Sequence, residues 1–279
     1  MNIIKLRSML NDFYLEDIGD RDLTSELIFS SENMGELSFV AKQSGVFCGE
    51  WIIREGFHLL DHNIQVQIMV QDGTNIEKGQ IIAIAKGAVV HLLKGERVIL
   101  NLIQRMSGIA TKTANIMNLI EGTNTKICDT RKTMPGLRVL DKYSVRVGGG
   151  ANHRNGLYDA VLIKDNHIAF AGSITQAISK VKAGLGHMVK VEVEIETKEQ
   201  LLEAIEAGAD IIMFDNRSPH EISEWLLEVP DRIITEASGN ITSKNVREYA
   251  ESGVQYISLG SLTHSVEAFD ISAKVLIKY

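Results

Sequence analysis

Apolar segments that recur at a nearly constant interval constrain the fold of this chain more than any other feature. Val189, Ile211, Ile233 and Ile257 lie in four such segments, at steps of 22, 22 and 24 residues. Amphipathic segments with helical spacing separate them, as KEQLLEAIEAGA does between the first two. Strands that alternate with helices predict βα units around a parallel sheet, and the regular step favours a barrel over an open sheet.

The main competing architecture is a doubly wound dinucleotide-binding sheet, and the sequence argues against it. No predicted strand is followed by the GxGxxG turn with which such sheets bind a pyrophosphate. The glycine run at 148–150 follows a helical stretch instead of a strand. The dinucleotide-binding signature is therefore absent.

The first part of the chain has a different pattern. Its first residues have the apolar spacing of a helix, and residues 36–90 contain short alternating segments between glycines, which predict antiparallel strands. Residues 92–120 then show a long helical periodicity, within which Gly108 could introduce a bend. We expect a β-rich layer and a connecting helix before the βα units.

The composition excludes several classes of protein. The chain has 29 Lys and Arg against 36 Asp and Glu, and its net charge of −7 repels the phosphates of a nucleic acid. Cys48 and Cys128 have no neighbours at metal-ligand spacing, so neither a zinc site nor a disulfide framework is predicted. Because neither a secretory signal nor about 18 consecutive apolar residues is visible, we expect a cytoplasmic protein without a membrane partner.

Charged and polar side chains crowd the ends of the predicted strands, which is where βα barrels place their active sites. Cations come first along the chain and carboxylates follow, a succession that indicates a site more than a solvated surface. The residues at these strand ends are Thr130, Arg131, Lys132, Lys164, Asp165, Asn166, His167, Glu192, Glu194, Asp215, Asn216, Glu236 and Ser238.

The cationic half consists of Arg131, Lys132, His153, Arg154 and Lys164, which lie within 34 residues of one another. Arginine presents a planar fork that matches a carboxylate or phosphate, and lysine adds a compact point charge. The mixture predicts a site for a polyanionic ligand. A solvated basic face is the alternative interpretation.

The acidic half consists of Glu194 and Asp215, at equivalent places on successive predicted strands. Magnesium usually takes one or two protein carboxylates together with phosphate oxygens and water, so this pair predicts a magnesium site. Structural pairing with Lys190 or Arg217 is the alternative. The glycine-containing loops EASGN and SLGSLTHS follow later strands and suit a phosphate, although ordinary turn chemistry could also explain them.

Residues 129–168, DTRKTMPGLRVLDKYSVRVGGGANHRNGLYDAVLIKDNHI, resemble the signature stretch of the quinolinate phosphoribosyltransferase family. The resemblance extends through EDIGDRDLTSELI, NLIQRMSGIAT, VEVE, FDN, EASGN and GSLTHS. It implies an α/β fold, namely an incomplete (β/α) barrel of the type II phosphoribosyltransferase kind with a β-rich α+β N-terminal domain. The implied domains are residues 1–111, with residues 266–279 packing back on them, and the catalytic domain at 112–265.

The resemblance also implies an activity. It implies a pentosyltransferase that moves the phosphoribosyl group of phosphoribosyl pyrophosphate to quinolinate, with decarboxylation, to give nicotinate mononucleotide, pyrophosphate and CO2 in NAD biosynthesis. The implied cofactor is Mg²⁺. The implied assembly is a homodimer, open to further association, in which Arg105 reaches the active site of the other subunit.

Family roles pass to matching positions of this chain. The implied quinolinate ligands are Arg105, Arg131, His153, Arg154 and Lys164. Lys132, Glu194 and Asp215 are implied to serve phosphoribosyl pyrophosphate, the two carboxylates as magnesium ligands, and Lys164 joins these three as an implied catalytic residue. The implied surroundings of the 5-phosphate or ribose are Ser238, Gly239, Asn240, Gly260 and His264, where Asn240 replaces a glycine common in the family.

Three alternatives remain at this point. A paralogue of the same fold associated with molybdenum uptake shares part of these motifs, but the KDNH stretch at 164–167 is intact here. A barrel aldolase would use Lys164 as a Schiff-base lysine in an apolar pocket. A non-catalytic anion-binding protein would keep the cations without any turnover.

Overall fold

The computed structural model describes residues 1–275 of the chain. These residues form two compact units, one of Met1–Lys112 together with the stretch that begins at Val266, and one of Thr113–Ser265. Residues 276–279 of the predicted C-terminal segment lie outside the described residues. Every helix within residues 1–275 is too short or too polar to cross a membrane.

The first unit combines helices with two antiparallel sheets. Its helices are α1 (Ile3–Ile18), α2 (Leu23–Ile28), α3 (Glu50–Leu60) and the start of α4 (Val89–Leu119); its strands are β1 (Met34–Ala41), β2 (Gly45–Val46), β3 (Gln65–Ile68), β4 (Asn75–Ile76), β5 (Ile81–Ala88) and β12 (Ile271–Val275). The larger sheet has the order β12-β1-β5-β3, and β2 pairs with β4. Between β1 and β12 the register aligns Leu37 with Val275.

One prediction for this unit is wrong in part. Residues 36–90 are not all strand and turn, because α3 occupies Glu50–Leu60. Its buried residues, Ile52, Ile53 and Phe57, have helical spacing, and the Phe57 ring lies 6.0 Å from that of Phe39 on β1. Packing of this apolar face against the sheet explains why the segment is helical.

The long helix α4 runs without interruption through Gly108. A Cβ atom at Gly108 would lie 2.1 Å from the carbonyl oxygen of Glu267, far inside van der Waals contact. Glycine at this position therefore permits a close approach of the segment that leads to β12.

The second unit is a parallel six-stranded sheet with the order β6-β11-β10-β9-β8-β7. Its strands are β6 (Lys126–Cys128), β7 (Val161–Ile163), β8 (Val191–Ile195), β9 (Ile211–Asp215), β10 (Ile234–Ser238) and β11 (Tyr256–Ser258). The outer strands β6 and β7 do not pair with each other in the described part of the chain, so the barrel is not closed. The predicted α/β fold with an incomplete barrel is confirmed.

Helices follow the strands of this sheet, and several of them begin at side-chain caps. They are α5 (Arg138–Val147), α6 (Asp165–Ala171), α7 (Ile174–Gly184), α8 (Lys198–Glu206), α9 (Pro219–Leu226), α10 (Val246–Glu251) and α11 (Ser261–His264). Side chains of Ser173, Thr197 and Ser218 accept hydrogen bonds from main-chain N–H groups in the first turns of α7, α8 and α9. Such N-caps fix where each loop ends and each helix begins.

Candidate active site

A cavity of about 640 Å³ opens at the carboxyl ends of the parallel strands. Its volume lies in the range of small-molecule sites. Of the thirteen predicted substrate-binding residues, all but Arg105 line this cavity, namely Arg131, Lys132, His153, Arg154, Lys164, Glu194, Asp215, Ser238, Gly239, Asn240, Gly260 and His264. Arg105 lies on α4 in the first unit and is half-buried.

Arg154 presents a buried hydrogen-bond donor beside a second cation. Its Nη1 donates to the carbonyl oxygen of Ala160 at 3.2 Å, whereas its buried Nε has no hydrogen-bond partner among the described residues. Burial lowers the pKa of the Arg154 guanidinium, and the charge of Arg131 lowers it further. Two guanidiniums that destabilise each other in this way gain stability when a carboxylate lies between them.

A buried ion pair holds the segment that carries His153 and Arg154. Lys142 Nζ lies 2.5 Å from Asp129 Oδ1, and both side chains are almost completely buried. Lys142 Nζ also donates to the His153 carbonyl oxygen at 2.9 Å, and the His153 main-chain N–H donates back to Asp129 at 2.9 Å. Burial raises the pKa of Asp129, an effect that the charge of Lys142 opposes. The pair fixes the backbone from which the two site cations project.

The His153 imidazole rests on two buried carboxylates. Its Nε2 lies 3.0 Å from Glu192 Oε2 and 3.7 Å from Glu236 Oε1, and its Nδ1 accepts the main-chain N–H of Arg154 at 2.8 Å. In the neutral ring, an accepting Nδ1 leaves the proton on Nε2, facing Glu192. Burial lowers the pKa of His153, but the hydrogen bond to Glu192 and the charge of Glu236 outweigh it and raise that pKa.

Glu236 is the most strongly perturbed carboxyl group around the cavity. Burial, with a further contribution from the Glu192 charge, raises the pKa of Glu236 to about 7. Within residues 1–275, Oε1 of Glu192 and Oε1 of Glu236 have no hydrogen-bond partner. Together with His153 these carboxylates form a group of three whose possible ligand atoms all lie within 4.8 Å.

Glu194 and Asp215 form the acidic wall of the cavity. Lys164 Nζ makes an ion pair with Glu194 Oε2. Burial raises the pKa of Glu194, Lys164 opposes this effect, and the charge of Asp215 raises the pKa further. Arg217, the alternative partner, instead reaches the Asp215 main-chain oxygen at 3.2 Å and Glu221 at 3.6 Å. The two carboxylates therefore repel each other. Their oxygen atoms are ligands of the kind that a hard divalent cation prefers, and such a cation would relieve the repulsion.

The two glycine-containing loops approach other parts of the site very closely. A Cβ at Gly239 would lie 2.2 Å from Asn216 Oδ1, and the Gly239 φ of +92° also favours glycine. A Cβ at Gly260 would lie 2.9 Å from the Lys132 side chain. Glycine at both positions brings main-chain groups next to Asn216 and Lys132, at the cavity wall.

Four residues beneath the cavity were not among the predicted ligands: Asp129, Lys142, Glu192 and Glu236. The sequence contains a partial signal for them. Glu192 and Glu236 stand among the charged strand-end residues, each two positions before a predicted site residue on the same strand face. Lys142 has no such signal, because a charged residue in an amphipathic helix ordinarily faces solvent.

Comparison with known proteins identifies relatives over nearly the whole chain. The quinolinate phosphoribosyl transferase models match residues 22–107, for the N-terminal domain, and 109–274, for the C-terminal domain. A probable nicotinate-nucleotide pyrophosphorylase [carboxylating] of Bacillus subtilis is 54% identical, covering 99% of this chain and 95% of the relative. The nicotinate-nucleotide pyrophosphorylase structure of Francisella tularensis has a TM-score of 0.94 at 37% identity, covering 99% of this chain and 98% of that one. The Ehrlichia chaffeensis structure of the same name has a TM-score of 0.91 at 37% identity, with 96% and 98% covered.

Proposed function

The chain belongs to the quinolinate phosphoribosyltransferase family, and from that membership we propose that it joins quinolinate to the phosphoribosyl group of phosphoribosyl pyrophosphate. The products are nicotinate mononucleotide, pyrophosphate and CO2, and the enzyme is a pentosyltransferase of NAD biosynthesis. The observation that carries this proposal is one cavity that holds the guanidinium groups of Arg131 and Arg154 at one side and the carboxylates of Glu194 and Asp215, with the glycine-containing loops, at the other.

The cationic side binds quinolinate. Arg131 and Arg154 face a dicarboxylate with their guanidinium groups, and Lys164 adds a third positive charge. His153 belongs to the same wall, where its ring fixes the Arg154 main chain. The two carboxylates of the substrate neutralise the guanidinium groups of Arg131 and Arg154, which otherwise repel each other.

The acidic side binds phosphoribosyl pyrophosphate with Mg²⁺. Glu194 and Asp215 fit this ion because they offer hard oxygen donors and because their mutual repulsion falls when a cation binds. When bound, the ion neutralises charge on the pyrophosphate group. Lys132 supplies a further positive charge to the same group, and Ser238, Gly239 and Gly260 border the 5-phosphate.

The reaction then needs little more than positioning and charge. The pyridine nitrogen forms a bond to the anomeric carbon, the bond from that carbon to the pyrophosphate oxygen breaks, and the electron pair leaves with pyrophosphate. Holding the two atoms at attack distance can supply about 7 kcal/mol or more of the barrier. The ring nitrogen is then cationic and stabilises the electron pair left on the ring carbon when CO2 departs, and a proton completes nicotinate mononucleotide.

The aldolase alternative does not fit the environment of Lys164. Its amine is ion-paired with Glu194 and its side chain is 46% exposed, whereas a Schiff-base lysine needs an apolar pocket. The KDNH stretch, whose presence disfavours the molybdenum-associated paralogue, forms the start of α6. There the Lys164 main-chain N–H donates to His167 Nδ1 at 3.0 Å.

The assembly and location are part of the proposal. We infer a homodimer, open to further association, in which Arg105 of one subunit serves the quinolinate end of the other. A cytoplasmic location agrees with the needs of the reaction, because phosphoribosyl pyrophosphate is a charged metabolite that does not cross membranes unaided.

Incubation of the purified protein with quinolinate, phosphoribosyl pyrophosphate and Mg²⁺ tests the function. We expect nicotinate mononucleotide, pyrophosphate and CO2 in equal amounts, detected by chromatography and by release of label from the 2-carboxylate of quinolinate. Nicotinate serves as the parallel substrate and is expected to give no product, because it lacks that carboxylate. The proposal would be rejected if a folded sample formed product from nicotinate but not from quinolinate, or formed no product from either substrate.

A further inference from the structure

Asn216 and Asn240 connect two loops of the cavity through their side-chain amides. Asn240 Nδ2 donates to Asn216 Oδ1 at 3.0 Å, and Asn216 Nδ2 donates to Asp215 Oδ2 at 2.7 Å. The main-chain N–H of Asn216 also donates to the Ser238 carbonyl oxygen at 2.9 Å. The three side chains therefore form a continuous chain of hydrogen bonds from the EASGN loop to the acidic wall.

Both asparagines have a left-handed backbone, with φ values of 54° at Asn216 and 53° at Asn240. Within residues 1–275 they are the residues other than glycine with positive φ. Asparagine tolerates this conformation better than most residues, but glycine adopts it at lower cost. An asparagine in place of glycine at position 240 is explained by a contact that its side chain makes. That contact is the hydrogen bond to Asn216.

The contact determines which way the Asn216 amide points. An amide side chain has an oxygen on one side and an NH2 group on the other. Because the NH2 group of Asn240 faces the Asn216 oxygen, the Asn216 NH2 group is directed to the Asp215 carboxylate. Rotation of the Asn216 amide by half a turn would place its oxygen against that carboxylate, which is repulsive.

We propose that Asn240 is a positioning residue for Asp215, acting through Asn216 to orient the carboxylate that binds the cation accompanying phosphoribosyl pyrophosphate. Asn216 occupies one carboxylate oxygen and leaves the other for the cation. The inference rests on the proposed function, and it gives the side chain at 240 a role that a glycine could not perform.

Two variants of Asn240 separate this role from a purely structural one. Asn240→Asp keeps the size of the side chain but replaces the donor that faces Asn216 Oδ1 with an acceptor. Asn240→Gly removes the amide and suits the left-handed backbone, so the loop keeps its conformation. The control is Asn63→Asp in the first unit, because Asn63 Nδ2 donates to a neighbouring oxygen, Asp61 Oδ1, at 3.0 Å.

Steady-state kinetics give the first readout. For Asn240→Asp we expect the KM for phosphoribosyl pyrophosphate and the half-saturating Mg²⁺ concentration to rise about tenfold, because the reoriented Asn216 loses its hydrogen bond to the charged Asp215 carboxylate. Asn240→Gly is expected to show a smaller rise in the same two constants. The KM for quinolinate should remain unchanged in both variants, and Asn63→Asp should match the wild type throughout.

Manganese binding gives a second readout that does not depend on turnover. Mn²⁺ is titrated by electron paramagnetic resonance in the presence of phosphoribosyl pyrophosphate and phthalate, which has two carboxylates but no ring nitrogen to attack. We expect Asn240→Asp to weaken Mn²⁺ binding about tenfold. In an Asn216→Ala background, replacement of Asn240 should have no further effect, since the intermediate amide is gone.

Unchanged Mn²⁺ binding in Asn240→Asp, with a melting temperature either unchanged or lowered, would overturn the inference. So would equal, additive effects of the substitutions at 216 and 240. If the wild type forms no nicotinate mononucleotide, the proposed function fails, whereas the manganese titration still decides whether Asn240 orients Asp215.

Discussion

At the residue scale, Lys142 and Lys164 differ in burial, and this difference gives the two cations different roles. Lys142 is 3% exposed, and Asp129 with the His153 carbonyl oxygen takes up its charge. Lys164 is 46% exposed and lines the cavity while paired with Glu194. A buried pair of this kind supports neighbouring residues but cannot reach a ligand, whereas an exposed pair can exchange its partner for a substrate at little cost.

Arg154→Lys tests whether the planar guanidinium group of Arg154 serves quinolinate. Lysine keeps the charge but lacks the planar fork, so we expect the KM for quinolinate to rise about tenfold or more. The KM for phosphoribosyl pyrophosphate should stay close to that of the wild type. Arg7→Lys is the control, because Arg7 is exposed and pairs with Glu55 in the first unit. Equal increases in both KM values would contradict this assignment.

Glu236→Gln tests the raised pKa of the carboxyl group beneath His153. The pKa of Glu236 is about 7 in the folded protein, above its usual value of 4.5, so the folded state binds this proton more tightly than the unfolded state. The free energy of unfolding should therefore fall as the pH rises from about 5 to 8. The raised pKa of His153 acts in the same direction, because the stability it contributes is lost as the pH rises through that pKa.

In Glu236→Gln we expect a flatter dependence of unfolding free energy on pH over that window. Chemical denaturation at several pH values measures it, and Glu206→Gln on the exposed end of α8 is the control. A slope identical to that of the wild type would show that Glu236 ionises normally in the folded state.

At the scale of helices and strands, the sequence predicts the second unit better than the first. Strands β8 to β11 lie within two residues of where the regular step of apolar segments places them, because each is largely buried and each is followed by a helix. Helix α3 was missed, since its apolar residues lie between strand-like segments and its amphipathic face becomes informative only when the sheet beneath it is known. The sequence predicted twelve of the residues that line the cavity but not the buried partners that orient them, because those partners depend on packing between distant segments.

Gly108→Ala tests why α4 contains a glycine in its interior. The added methyl group would collide with the Glu267 carbonyl oxygen, so we expect the free energy of unfolding to fall by about 2 kcal/mol. Gly184→Ala at the end of α7 is the matched control, because nothing lies within 4 Å of its Cβ position. It should leave stability unchanged or raise it slightly, since alanine is the better helix former. Equal melting temperatures of the two variants would reject the close approach at Gly108.

At the scale of the whole molecule, the inferred dimer predicts that two inactive variants restore each other. Arg105→Ala and Arg131→Ala each remove a proposed quinolinate ligand, and each variant alone should be nearly inactive. In a mixed dimer one site receives Arg105 from one subunit and Arg131 from the other, so activity should recover to about a quarter of the wild type if subunits mix at random and sites act independently.

Subunit exchange is verified with differently tagged chains before activity is measured. Mixed dimers that remain inactive would contradict a site shared between subunits, and full activity of Arg105→Ala alone would remove this residue from the site.

The pairing of β1 with β12 has a consequence for how the chain acquires its structure during synthesis. Ser38 Oγ donates to the carbonyl oxygen of Lys274, 236 positions further along the chain, so the larger sheet of the first unit lacks an edge strand until Ile271–Val275 has been synthesised. The second unit is contiguous, from Thr113 to Ser265, and can close its sheet earlier. The unit that is made first on the ribosome is thus completed last, and β1 must wait with an unpaired edge that nascent-chain chaperones are suited to cover.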